Sequence, residues 1–459
     1  PFDWVPNDVE LTTPQSAKLL PYQIAAVLRL KRALTHGNAL DASDTGSGKT
    51  YCALVAAAEL GLRPCIIAPL AVLPSWQRAA AALGVTICWL INYDKIRGGK
   101  GPIAKWEGDG KSKTFVFKYL PENHILIFDE VQKCKSPDSL QGKMLRDAAR
   151  AGHKILCLSA TAAKDPTEMR NLGTALKLHD GTRSNWEQWC VRNGCTSGQY
   201  GLKFAPFGKG KRYLEAIHRA IFPQKGNRIR VADLPEFPET RIEAETLDTG
   251  NTDFITGAYA EMDKELAKIQ SDTGMTANDK GASTLAAMMK ARIASEKGKL
   301  KLFRELAEEA IEEGRSAVIF LNFREHIDIL MKDLKTKCVV WGGQKADERQ
   351  QCIDDFQADR SRIIIISLQA GGAGLSLHDL NGNFPRLAII SPSYSAIDLK
   401  QALGRVHRAG AKTKSFQRII FAAGTIEEQI CESVREKLSN IDTLNDGTLA
   451  PESFLKLAA

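Results

Sequence analysis

Gly48-Lys49-Thr50 closes the stretch ALDASDTGSGKT (39–50), and Asp129-Glu130 closes HILIFDE (124–130). These residue types, at strand ends, are suited to binding and hydrolysing a nucleoside triphosphate. Short residues at Thr45, Gly46, Ser47 and Gly48 let successive backbone N–H groups turn toward phosphates, and a following helix N-terminus adds a favourable partial charge. Lys49 would neutralise the β and γ phosphates, and the Thr50 hydroxyl would ligate Mg²⁺. Asp129 could hold the same Mg²⁺ through water, and Glu130 could orient and deprotonate the attacking water. The usual loop pattern, G-x-x-x-x-G-K-S/T, begins with glycine, whereas this chain has Ser43. That glycine mainly permits a tight turn after the strand, so a small serine suffices. Alone, the loop is a pattern match and the acids are a solvated pair. In this order, about eighty residues apart, each supports the other.

Three further stretches have both a plain and a chemical reading. Ser159, Ala160 and Thr161 follow the strand KILCLSA (154–160), where small hydroxyl residues could report nucleotide state. SLQAGGAGLSL (367–377) is a glycine-rich turn after an isoleucine strand, where Gly371, Gly372 and Gly374 would permit close backbone approach to a ligand. In QALGRVHRAG (401–410), Arg405 and Arg408 are three apart on a predicted helix and share a face. Such a pair could be a basic surface, or could stabilise transition-state charge on a γ-phosphate as arginine fingers.

These residues need elements to position them. Apolar runs at 65–70, 86–93, 124–129 and 154–160 form one block, and runs at 316–323, 338–341, 362–368, 386–391 and 416–421 form another. Continuous rather than alternating apolar character predicts parallel strands covered on both faces by helices. The expected fold class is α/β: two doubly wound parallel-sheet lobes, with ligands at the carboxyl ends of the strands. The predicted division is residues 1–196 for the first lobe, 197–300 for a linker and small helical insertion, and 301–459 for the second lobe with a C-terminal helical tail. Residues 97–120, rich in glycine and lysine, read as a projecting loop or hairpin.

The chain's 44% hydrophobic and 25% charged residues are globular values, and its formal charge of +8 permits a polyanionic partner without requiring one. Ten cysteines include no C-x-x-C pair; Cys190 and Cys195 lack a metal-spaced histidine, so reduced intracellular thiols are expected. No apolar run reaches membrane-spanning length, so an intracellular location is expected: cytoplasm or nucleoid, or a host cell if viral.

Taken together, the motifs resemble those of the superfamily-two helicases and translocases, in order, from about Leu19 to Lys437. LLPYQIAAV (19–27) is similar to the adenine-recognising Q motif, which implies Gln23 as a contact, and DTGSGKT is that superfamily's form of the phosphate loop, whose first position need not be glycine. IIAPLAVLPSWQR, DEVQ, LSAT, VIFLNFREHIDIL, SLQAGGAGLSL and QALGRVHRAG resemble motifs Ia to VI. CKSPDSLQGKMLRDA, the segment RIRVADLPEFPETRIEAETL and the pattern of the second lobe look most like Swi/Snf-type double-stranded DNA translocases in a compact, viral or bacterial style. DEVQ departs from the usual DEGH or DEAH, so Gln132 must replace a histidine link to the SAT motif, and Ser136-Pro137 departs from the family's segment.

The resemblance implies two RecA-like lobes with ATP and Mg²⁺ held by Lys49, Thr50, Asp129 and Glu130 on one and by Gln401, Arg405 and Arg408 on the other. It also implies backbone grips on nucleic acid from Pro69 to Ser75, at Asn92-Tyr93, from Asn322 through Phe323 to Arg324, and from Ser367 to Gly372. For Trp76 and Tyr93, core packing is weighed above base stacking. Lys100, Lys105, Trp106, Lys111 and Lys113 in loop 97–120 would touch DNA or a protein partner, or simply be solvated. The expected activity is ATP-driven translocation on double-stranded or branched DNA, with RNA a less favoured substrate and no membrane partner. A strand-separating DNA or RNA helicase and a nucleotide-gated protein-interaction module are the competing readings.

Overall fold

The computed structural model describes residues 4–99, 103–109, 113–198, 201–206, 209–234, 240–371, 375–393, 395–408, 410–446 and 456–457. The chain forms two compact units, Pro1–Glu236 with Lys437–Glu452, and Phe237–Glu436 with Ser453–Ala459.

The first unit carries β1 (Ala39–Asp41), β2 (Arg63–Ala68), β3 (Trp89–Asn92), β4 (Ala104–Glu107), β5 (Thr114–Phe117), β6 (His124–Asp129), β7 (Ile155–Leu158), β8 (Cys195–Gly198), β9 (Gly201–Phe204) and β10 (Gly226–Asn227). Six of them make a parallel sheet in the order β10-β1-β7-β6-β2-β3. The runs CIIA and ILIF are buried throughout because helices cover both faces. Leu126, Phe128, Ile155 and Cys157 join Met144 and Leu145 of the helix Leu140–Arg150 in one core. That helix starts at Ser139, whose hydroxyl accepts from the Gly142 N–H. Outside the sheet, β4–β5 and β8–β9 are antiparallel ribbons.

The second unit holds β11 (Thr240–Leu247), β12 (Ser316–Leu321), β13 (Val339–Val340), β14 (Ile363–Ser367), β15 (Arg386–Ile390), β16 (Ser415–Ala422) and β17 (Lys456–Leu457). All seven are parallel, in the order β13-β14-β12-β15-β16-β11-β17. Phe303, Ile319, Leu321, Ile365 and Ile389 lie in its core. The two units are thus the two doubly wound parallel-sheet lobes expected.

Within the segment read as linker, TRIEAETL instead forms β11, registered along β16 from Thr240↔Ser415 to Leu247↔Ala422. Its charged residues hide the strand signal: Arg418 pairs with Glu245 across the ladder at 2.5 Å. The helices Thr252–Ser271 and Ala277–Gly298 follow, packed along each other. Among the described residues no helix is long and apolar enough to cross a membrane.

Candidate nucleotide-hydrolysis site

In the first unit the phosphate loop runs from the end of β1 to the helix Lys49–Glu59. Gly48 has φ +88°, and a Cβ there would meet Gln23 Nε2 at 2.1 Å, so only glycine fits. Gln23 is buried and held at both ends: Oε1 accepts from the Leu20 N–H at 2.9 Å, and Nε2 donates to the Ser47 carbonyl at 3.1 Å. It therefore buttresses the loop directly. Lys49 Nζ donates to the Ser43 and Asp44 carbonyls at 2.7 and 3.0 Å. Burial lowers the lysine's pKa, while Asp41, Glu130, Asp129 and Asp44 favour its charge. Thr45, Gly46 and Thr50 are half-buried around this turn.

Ser43 is more than a tolerated substitute for glycine. Its hydroxyl donates to Asp41 Oδ1 at 2.5 Å and accepts from Asn227 Nδ2 at 3.0 Å and from the Ile229 N–H at 2.9 Å. One donor and two acceptor sites are all used in a fully buried position. Nothing in the local motif could have revealed this, because the partners lie 184 and 186 residues away.

At the end of β6, Asp129 Oδ2 accepts from Trp76 Nε1 at 2.8 Å, and Oδ1 accepts from the Glu130 N–H at 2.9 Å. Burial, then the neighbouring Glu130, pushes the Asp129 carboxyl up to about 7 against the pull of Trp76 and Lys49. Glu130 sits at φ +52°, a left-handed conformation uncommon outside glycine, which turns the acid pair out of the strand. Gln132 Nε2 donates to Glu130 Oε2 at 2.6 Å, and Gln132 Oε1 accepts from Ser159 Oγ at 2.6 Å. The glutamine therefore makes the link between DEVQ and SAT that its position implied. The Ser159 hydroxyl accepts from the Thr161 N–H at 2.9 Å, and the Ala160 carbonyl accepts from Asn445 Nδ2 at 2.8 Å. Asn445, near the end of the C-terminal helix, is a contributor that motif reading missed. Among the described residues, Thr161 Oγ1 and Asp41 Oδ2 are buried with no hydrogen-bond partner, and a polar ligand would satisfy such groups.

In the second unit, Gln401 and Arg405 are buried in the helix Ala396–Val406. That helix stops at Val406, with His407 extended, so Arg408 lies beyond it. The expected shared helix face is corrected: both arginines reach the same loop by different routes. Arg405 Nη1 donates to the Leu375 carbonyl at 3.5 Å and is 1% exposed; Arg408 is half-buried, with Nη1 to Ser376 Oγ at 3.0 Å. Burial, then Arg408, depresses the nearby His378 to about 4. Gly371 ends the short helix Leu368–Gly371, whereas Gly372 and Gly374 lie outside the described residues.

The implied nucleic-acid grips do follow strands. Pro69 and Ser75 come after β2; Asn92 ends β3 and caps the next turn, accepting from the Lys95 N–H at 2.8 Å. Tyr93 packs into the core, the reading weighed above base stacking, rather than at a nucleic-acid surface: it is 3% exposed, and its hydroxyl donates to the Asp129 carbonyl at 2.9 Å, so it braces the acid strand. Trp76 is buried as weighed. In the second unit Asn322, Phe323 and Arg324 follow β12, and Ser367 ends β14. Arg324 stacks over Trp341 at 3.9 Å and pairs with Asp328. Glu296, in the insertion and unmarked by any motif, accepts from the backbone N–H groups of Asn322 and Phe323 and contacts His326 Nδ1 at 2.8 Å. In the β4–β5 ribbon, Lys105 pairs with Glu107, and Trp106 packs edge-on to Phe115. Lys100 and Lys111 lie outside the described residues.

Comparison with known proteins gives the family. Residues 298–410 match the helicase conserved C-terminal domain. A protein of Acanthamoeba polyphaga mimivirus, provisionally named an ATP-dependent RNA helicase, is 33% identical over 97% of this chain and 87% of its own length. The ATP-dependent helicase fft3 of Schizosaccharomyces pombe is 32% identical over 33% of this chain and 16% of its own. The DNA repair and recombination protein RAD54 of Saccharomyces cerevisiae is 30% identical over 27% of this chain, which spans 14% of that protein. Matched along nearly its whole length by one such relative and over residues 298–410 by the helicase C-terminal domain, the chain belongs to the superfamily-two helicases and is an ATP hydrolase.

Proposed function

We propose that the chain is an ATP-driven translocase on double-stranded DNA, acting on protein–DNA complexes or branched DNA. The observation that carries this reading is the hydrogen-bonded set Trp76–Asp129 and Glu130–Gln132–Ser159 beside the phosphate loop, in a chain that is 30% identical over 27% of its length to a protein named for DNA repair and recombination. In this reading the loop from Thr45 to Thr50 cradles the phosphates and Lys49 leaves the Ser43 and Asp44 carbonyls to meet them. Glu130, aligned by Gln132, takes the proton of the attacking water. Thr50 and Asp129 would hold Mg²⁺, which supplies charge neutralisation at the β and γ phosphates; an adjacent divalent cation would also return the raised Asp129 carboxyl to its charged form. Gln401, Arg405 and Arg408 of the second unit would also take part in hydrolysis, and Arg408 is the more exposed of the two arginines. Loop ends at Pro69–Ser75, Asn92, Asn322–Arg324 and Ser367–Gly371 grip the DNA backbone, and the β4–β5 ribbon offers Lys105 and Lys113 to DNA or a protein partner. Phosphate contacts of this kind give salt-sensitive, nearly sequence-independent binding.

The second reading is a strand-separating RNA helicase, favoured by the name of the mimivirus relative. Steady-state ATP hydrolysis with duplex DNA, single-stranded DNA and RNA separates them, alongside triplex displacement and duplex unwinding. Duplex DNA should stimulate most and displace a third strand without separating the duplex. Strongest stimulation by RNA, with strand separation, would favour the second reading.

A further inference from the structure

β10 and the residues after it hold the phosphate loop by its front edge. Asn227 and Arg228 are 0% and 2% exposed. Asn227 Nδ2 donates to Asp41 Oδ1 and Ser43 Oγ, both at 3.0 Å, while Asn227 Oδ1 accepts from Arg29 Nε at 2.8 Å. Arg228 Nη1 donates to the Ala42 carbonyl at 2.8 Å and to Asp44 Oδ1 at 2.6 Å. The N–H groups of Ile229 and Val231 end on Ser43 Oγ and Asp44 Oδ2 at 2.9 and 3.0 Å, and the Asp44 N–H returns to the Ile229 carbonyl at 2.9 Å. Five residues beyond Val231 the chain passes into the second compact unit.

Two facts about this arrangement matter together. The residues gripped, Ser43 and Asp44, are those whose carbonyls receive Lys49 Nζ. The residues gripping them are the root of the chain segment that leads to the other unit. When the lysine leaves those carbonyls for a phosphate, the front edge of the loop changes partners, and the strand bonded to it must respond. Coupling of this kind is reciprocal: tension at the root alters the loop as much as the loop alters the root.

We infer that Ser43, Asp44, Asn227 and Arg228 form a latch that couples nucleotide occupancy of the phosphate loop to the root of the inter-unit connection, with Arg228 and Asn227 as positioning residues. The inference rests on the phosphate-loop reading given above. It also explains why serine stands where the loop pattern has glycine.

The test is amide hydrogen exchange in the full chain, with and without saturating Mg·ADP, read at residues 226–231. In the natural sequence the exchange of Ile229 and Val231 should slow by about tenfold on nucleotide addition. Ser43→Gly restores the usual loop residue while removing the hydroxyl, and should cut the nucleotide-dependent change to less than about twofold, as should Arg228→Ala. A merely structural role would shift thermal stability and the basal exchange rate but leave the nucleotide-dependent difference intact. Full slowing in Ser43→Gly overturns the latch, and that variant keeps the test decisive should Arg228→Ala not fold. Lys49→Ala keeps the two readings apart. If it binds ADP as well as the natural chain, the phosphate-loop reading has failed. If binding needs Lys49 yet Ile229 and Val231 ignore the nucleotide, only the latch has.

Discussion

A glutamine stands at Gln132 where the family's motif has histidine, and it carries a specific load. Its amide donates to Glu130 and accepts from Ser159, so one side chain fixes the carboxylate proposed as base and ties it to the SAT turn. Removing it takes away the hydrogen bond by which the amide aligns the Glu130 carboxylate. Gln132→Ala should lower the turnover number by about tenfold while changing KM less than about threefold, because alignment acts on the chemical step more than on ground-state binding. Steady-state kinetics decide; an unchanged turnover number would leave the link without a catalytic role. The two arginines of the second unit should part company in a different measurement. Arg405 is almost wholly buried and donates to a backbone carbonyl, so Arg405→Ala should cost about 2 kcal/mol or more in urea unfolding. Arg408→Ala, at a half-buried site past the helix end, should cost under about 1 kcal/mol.

At the scale of elements, Glu59 closes the helix that begins at Lys49 and ties the N-terminal segment to it. The carboxylate accepts from the Thr12 and Thr13 N–H groups at 3.0 and 2.8 Å, from Thr13 Oγ1 at 2.7 Å and from Lys31 Nζ at 2.9 Å. Burial alone would raise its pKa, yet these donors hold it at about 2, below the ordinary 4.5. A depressed folded pKa contributes stability that is complete above the unfolded value and lost as pH falls through the folded one. Glu59→Gln should therefore cost on the order of 1–3 kcal/mol at neutral pH, with the gap closing between about pH 4.5 and 2. Urea midpoints at stepped pH test this, and a gap constant across that window would refute the assignment. The sequence reveals elements unevenly for a related reason. Runs such as ILIF (125–128) and Ile364–Ile366 are buried on both faces and announce parallel strands. β11 does not, since its alternating glutamates are satisfied by partners such as Arg418 on a strand 173 residues away. Lys49, Asp129 and Glu130 were legible because their chemistry needs fixed local spacing. Ser43's partners, Glu296 and Asn445 were not, because tertiary hydrogen bonds impose no local pattern. Helix periodicity misplaced Arg408, which the extended residue His407 sets outside the helix.

For the molecule as a whole, Lys49 belongs to one compact unit and Arg408 to the other, and the proposal gives each a part in hydrolysis. That division makes a kinetic signature available. Lys49 neutralises phosphates in ground state and transition state alike, so Lys49→Ala should lose both nucleotide affinity and turnover. An arginine that acts on charge developing during transfer adds little to the ground state, so Arg408→Ala should keep the nucleotide Kd within about threefold while turnover falls by about 10³. Combining the two should cost no more than Lys49→Ala alone, since groups acting as one unit are non-additive. Equilibrium binding of a fluorescent ADP analogue beside steady-state hydrolysis gives both readouts. Normal turnover in Arg408→Ala would confine hydrolysis to the first unit, and the second would then serve nucleic acid alone. Loss of binding together with turnover would make Arg408 a ground-state ligand rather than a group acting on charge developing during transfer.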